Sequence, residues 1–237
     1  MWPVAASSSG LFSDLMEKLL VLMVMLASCC ARTKDLSGKI FVFPKGTAND
    51  HVKLITPKTS FSAVTVCLRF LTDLTRNYVL FSLATPALSN DLVIFKLQTN
   101  NMRVHIRQGG TDFLSLSLPP NAWHTLCATW DSENGIARLW MDGKPTIKRF
   151  IHSGQPITGE PSIILGQEQD KYGGGFDASQ SFIGMISRLH VWDYVLSPKE
   201  IRRYEEDSNF TPGNVLNWRA LDYEITGSVL VEDELTL

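Results

Sequence analysis

The sequence has four cysteines, no excess of charge of either sign, and no apolar run long enough to cross a bilayer. Each shortage excludes something. Lys and Arg total 22 against 24 Asp and Glu, a net charge of −2, so no global positive field exists to hold a polyanion. The apolar run Leu19 to Ala27 is about nine residues, where a membrane span needs about 20, so no transmembrane segment is expected. The histidines His51, His105, His124, His152 and His190 show no metal-ligand spacing. The Gly-x-Ser-x-Gly elbow, the His-Glu-x-x-His helix and the phosphate loop are all missing. What is present is a 237-residue chain that is 44% hydrophobic, 19% charged and 10% aromatic, the composition of a packed globule with one substantial core.

Lys18, the apolar run and the small residues Ser28-Cys29-Cys30-Ala31 read as a secretory leader. Met16-Glu17-Lys18 makes a typical leader start, and the Ser-rich Met1 to Leu15 reads as an upstream extension. Residues 1–31 are therefore expected to be extension plus leader, and residues 32–237 the mature, extracellular domain. A buried helix and a membrane anchor are the alternatives, although Arg32, Lys34 and Asp35 arrive too early for an anchor. The mature part keeps Cys67 and Cys127. One even pair in a secreted chain points to one disulfide, which closes a loop of about sixty residues worth roughly 4 kcal/mol in the chain-entropy estimate. Two buried free thiols are the alternative.

From Lys39 onward short segments of period-two alternation follow one another with turn residues between them. In Val64 to Phe70 and in Thr125 to Trp130 the even positions are apolar, which leaves Cys67 and Cys127 on the more polar face of each strand. Further strands are expected at Lys39 to Pro44, Tyr78 to Ala84, Leu92 to Leu97, Arg103 to Arg107, Phe113 to Leu118, Ile136 to Met141, Ser162 to Leu165, Phe182 to Trp192 and Ser228 to Glu232. Asn134-Gly135 and Asp142-Gly143 supply hairpin turns, so Thr125 to Ile147 reads as a three-stranded meander. Ser197-Pro198-Lys199-Glu200 is a capping box that starts a short helix ending near Glu206, with Ile201 and Tyr204 on one face. Many strands, one late helix and no βαβ alternation predict an all-β, two-sheet antiparallel sandwich of jelly-roll type.

The stretch Leu165 to Gln180 carries the chemistry. Gly173-Gly174-Gly175 cannot be held cheaply in a helix and lets the backbone wrap tightly. Glu168, Asp170, Asp177 and Gln180, with the main-chain carbonyl of Gln169, offer hard oxygen donors without sulfur or imidazole. That set suits Ca²⁺, which takes six to eight oxygens in flexible geometry. A solvated polar turn is the plainer reading of the same residues.

Four stretches together resemble the short pentraxin family: Ile163 to Phe182, Val191 to Pro198, Asn214 to Leu221, and the opening Asp35 to Pro44. The resemblance runs from about residue 33 to 232 and implies a flattened, concanavalin A-like jelly roll. It also implies a homopentameric ring and two adjacent calcium ions on one face, which hold phosphocholine, phosphoethanolamine or carbohydrate. It adds Asn90 to the metal ligands, places Phe95 beside the methyl groups of a bound choline, and puts Asp112 near the acidic position that faces the choline nitrogen. Complement and Fc receptors are the implied protein partners, and innate immunity the implied setting.

Three departures from that pattern stand out. In the signature His-x-Cys-x-Ser/Thr-Trp-x-Ser/Thr, Cys127, Thr129, Trp130 and Ser132 fit, but Thr125 stands at the His position and His124 precedes it. The first calcium segment reads Ser89-Asn90-Asp91, so a hydroxyl replaces a carboxylate and weaker calcium binding is expected from the lost ligand charge. Alternation turns Asp91 away from Asn90, so it cannot substitute. Asp177 is the shorter of the two acidic side chains found at its position. Two other functions compete: a jelly-roll glycoside hydrolase using Glu168 and Asp170, and a calcium-independent adhesion module of laminin-G type. The hydrolase lacks its third carboxylate, because position 173 is Gly. Asn209-Phe210-Thr211 is a glycosylation sequon followed by Pro212.

Overall fold

A computed structural model describes residues 16–18, 33–98, 100–107 and 109–234. The expected leader falls, apart from residues 16–18, outside the described residues. The chain divides into two units, 1–33 and 34–237, and the second carries all the strands described below.

Two antiparallel sheets pack face to face. In the larger sheet the central strands Ala63–Leu71, His124–Asp131 and Gly184–Trp192 lie side by side. Ile136–Met141 extends it at one end, and Lys39–Phe43 and Leu230–Asp233 extend it at the other. The smaller sheet runs in the order Tyr223–Thr226, His51–Leu54, Ser162–Leu165, Tyr78–Thr85, Leu88–Leu97, Asn101–Ile106, Gly109–Phe113. The period-two pattern dictates which side chains meet: Val64, Val66, Leu68 and Phe70 from one sheet face Leu92, Ile94, Met102 and Val104 from the other in a single core. Burying a side chain of this size contributes roughly 1.5–3 kcal/mol.

Cys67 and Cys127 sit directly opposite each other on neighbouring strands and form a disulfide. Their face of the large sheet, expected to be the more polar one, is buried beneath the helix Pro198–Glu205. Ile201 and Tyr204 pack there against the cystine, Trp140, Trp192 and Leu196. The polar residue on this face is satisfied internally: the Thr65 hydroxyl donates to the Tyr194 carbonyl at 2.7 Å and accepts from the Leu196 amide at 3.0 Å. The capping box forms as expected, with Ser197 and Glu200 bonding each other's backbone amides at 3.3 and 2.7 Å.

One expected strand is absent and others are new. Phe113 to Leu118 does not form a strand. Ser115 takes a positive φ of 57°, its amide is held by Asn101 Oδ1 at 2.9 Å, and the ladder stops at Phe113. The strand lies earlier, at Gly109–Phe113. The meander's third member is only Lys144–Pro145, after which Arg149–Phe150 returns to the same Ile136–Met141 strand. His51–Leu54 and Tyr223–Thr226, unforeseen, pair with each other and widen the smaller sheet.

Candidate functional site

Three neighbouring strands, Leu88–Leu97, Asn101–Ile106 and Gly109–Phe113, form one end of the smaller sheet. Their inward residues belong to the core, so Val93, Phe95, Arg103, His105, Gly110 and Asp112 lie on its outer face. The register aligns them in two rows. Val93 lies beside His105 and His105 beside Gly110; Phe95 lies beside Arg103 and Arg103 beside Asp112. Gly110 is required for close approach, since a Cβ there would lie 3.0 Å from the His105 ring.

The 166–181 loop leaves the buried strand Ser162–Leu165 and reaches this face. Its sides are pinned from within. The Gln169 side-chain amide is fully buried, donating to the Ser162 carbonyl at 3.0 Å and Ser82 Oγ at 3.1 Å and accepting from the Gly173 amide at 3.0 Å. Gln167 donates to the carbonyls of Thr47 and Asp50 at 2.6 and 3.0 Å. At the far end the Arg76 guanidinium donates to the carbonyls of Ser179 and Ser181 at 3.0 and 2.7 Å. Gly175 has φ +77°, and a Cβ there would lie 2.9 Å from Asp170 Cβ, so the turn closes only on glycine.

Loop and sheet enclose a hollow of about 250 Å³. Asn90, Glu168, Asp170 and Gln180 supply oxygen to its lining, and Val93, Phe95, Arg103 and His105 complete it. The Asn90 Oδ1 atom is buried with no hydrogen-bond partner, which makes it a free acceptor ready for a cation. Glu168 is buried, and its carboxyl is pushed up by burial; Asn90's hydrogen bond opposes this, and the negative charges of Asp170 and Asp177 add to it. A divalent ion would relieve both the burial and the repulsion, so these donors fit a calcium site. The three carboxylates do not by themselves enclose an ion among the described residues. Amide and main-chain oxygens are needed as well.

Asn90, Glu168, Asp170, Gln180 and Phe95 thus share one hollow, while the other expected residues do not line it. Asp177 is exposed and turned onto Ser179, whose hydroxyl and amide donate to it at 2.7 and 2.9 Å and hold its carboxyl low. The Gln169 side chain serves the scaffold, which leaves its carbonyl as the only donor it can offer. Ser89 is outside the lining, and buried Asp91 points away to Thr85 Oγ1 at 2.5 Å; the ladder is irregular between Leu83↔Leu92 and Thr85↔Leu88, so Asn90 reaches the hollow of Val93 and Phe95 out of strict alternation. Asp112 does not line the hollow: its carboxylate is paired with Arg103 at 2.5 and 2.9 Å. Arg103, His105 and Arg76 were not anticipated. Alternation alone would have put Arg103 and His105 on Phe95's face, but nothing in the sequence says that this face meets the loop.

The outer face of this two-sheet jelly roll thus carries an oxygen-lined hollow. The chain belongs to the Pentaxin family, whose pattern it matches over residues 39–233. It is 43% identical to C-reactive protein of Sus scrofa over 224 residues, covering 93% of this chain and 99% of that protein. It is 40% identical to serum amyloid P-component of Sus scrofa over 220 residues, covering 92% and 98% respectively. The fold is also that of a native heptameric SAP-like pentraxin from Limulus polyphemus, with a TM-score of 0.77 at 22% identity, covering 84% of this chain and 96% of that one. Membership of this family makes the chain a non-enzymatic recognition protein, and its relatives support a pattern-recognition role in innate immunity.

Proposed function

We propose that the protein is a secreted, calcium-dependent lectin-like recognition module that holds phosphate-bearing head groups or carbohydrate through two calcium ions and acts as a ring of identical subunits. The observation that carries this reading is the unpartnered, buried Oδ1 of Asn90, a residue that lines the same hollow as Glu168, Asp170 and Gln180. Bound calcium supplies the positive charge that a phosphate or vicinal hydroxyl oxygen binds. Asn90, Glu168, Asp170, Gln180, the Gln169 carbonyl and Asp177 would hold it, while Gln167, Gln169 and Arg76 keep the loop in place.

The Cys67–Cys127 disulfide supports an oxidising, extracellular location. Exposed apolar side chains at the two ends of the large sheet support assembly: Ile147 and Phe150 beside one end, Leu230 and Val231 on the other. A head-to-tail contact between such unlike patches closes into a ring when the rotation permits, and a ring of several weak sites gains avidity. Retention on phosphoethanolamine coupled through its amine, in millimolar calcium, tests the central claim. Release by EDTA is expected; equally firm retention in excess EDTA would sink it.

A further inference from the structure

Resting on that metal-bridged reading, we propose that this site selects phosphate monoesters with an uncharged, hydroxyl-bearing tail and discriminates against a quaternary ammonium tail. Metal and phosphate would engage the oxygen donors of the lining, which leaves Phe95, Arg103 and His105 to meet the tail. A choline nitrogen needs a carboxylate or an open aromatic face there. The carboxylate on this wall, Asp112, is already committed in a bidentate pair and stands behind Arg103 rather than in the hollow. What the tail meets is the guanidinium, a permanent positive charge directly beside Phe95 in the strand register.

Like charges across a contact weaken binding of the cationic ligand without weakening its neutral counterpart. Two of the guanidinium's five N–H donors go to Asp112, which leaves donors over for hydroxyl oxygens. His105 lies next in the same strand face, packed on Gly110, with an imidazole that adds a further hydrogen-bonding group to the wall. The side chains of Arg103 and Asp112 are 40% and 30% exposed, so the pair can be altered without opening the core.

Calorimetric titration of the calcium-loaded full chain with glycerol 1-phosphate and with phosphocholine tests the selectivity. Glycerol 1-phosphate is expected to bind at least about fivefold more tightly. Arg103→Ser, which frees Asp112, is expected to reverse the preference. Asp112→Asn, which leaves the guanidinium unpaired, is expected to widen it, and thermal melting of both variants verifies folding. Phosphocholine binding as tightly as glycerol 1-phosphate, or a ratio unmoved by both variants, overturns the selectivity while calcium bridging stands, provided EDTA releases both esters. If neither ester binds in calcium, the bridging reading falls and the selectivity falls with it.

Discussion

Single residues set both the strength of the site and the pH response of the frame around it. Ser89 lies outside the lining of the hollow but next to its donor Asn90, so a negative charge introduced there by Ser89→Asp is expected to tighten calcium binding by about tenfold or more, read by calorimetry. Equal affinities would show that position 89 lies outside the metal's reach. His124, one place ahead of the family's histidine position, does not lie idle. It is buried against Phe70, its Nδ1 lies 2.9 Å from Asp142 and its Nε2 3.0 Å from the Pro119 carbonyl. The Asp142 hydrogen bond raises the His124 pKa, so the stability of the charged pair is complete below the ordinary histidine value of 6.5 and is lost as pH rises through the raised folded value. Burial works against ionised Asp142, but His124 and the Thr125 amide outweigh it and its carboxyl is held low, so the pair survives until pH falls through that lowered range. His124→Gln is therefore expected to cost about 1–3 kcal/mol, more at about pH 5.5 than at about pH 8.5, by urea unfolding at each pH.

At the scale of elements, the loop and the strand ends decide what was readable. The helix announced itself through Ser197, Pro198 and Glu200, whose spacing is purely local, and Lys39 to Phe43, Ile136 to Met141 and Ser162 to Leu165 through alternation. Phe113 to Leu118 misled because Leu114, Leu116 and Leu118 mimic a strand period, whereas left-handed Ser115 ends the ladder, and no composition rule marks a serine for that conformation. The oxygen donors of the loop were legible because their types and glycines are adjacent in sequence. The cationic wall was not, because Arg103 reaches the loop only through the pairing of strands that lie some sixty residues earlier. Gly175→Ala forces a Cβ into left-handed backbone and against Asp170, at about 1–2 kcal/mol. Weakened calcium binding with little change in the main melting transition is the expected result; unchanged affinity would mean that the turn does not shape the site.

On the scale of the whole molecule, one cross-link bears on stability and two sheet ends bear on the proposed assembly. The disulfide joins adjacent central strands beneath the helix, and Cys67→Ala/Cys127→Ala is expected to lose roughly 4 kcal/mol in urea unfolding. Leu230→Glu places a charge on the exposed apolar end of the large sheet, and sedimentation velocity is expected to show the proposed ring giving way to single subunits; an assembly unchanged by the substitution would clear that edge of any role in the contact. The anchoring of the 166–181 loop has a thermodynamic consequence as well. Gln167, Gln169 and Arg76 fasten it through hydrogen bonds to the backbone carbonyls of Thr47, Ser162 and Ser181. On the proposed calcium reading, metal uptake would then fill a cradle that the polypeptide already holds, and the entropic penalty expected is that of ordering the ion rather than the loop.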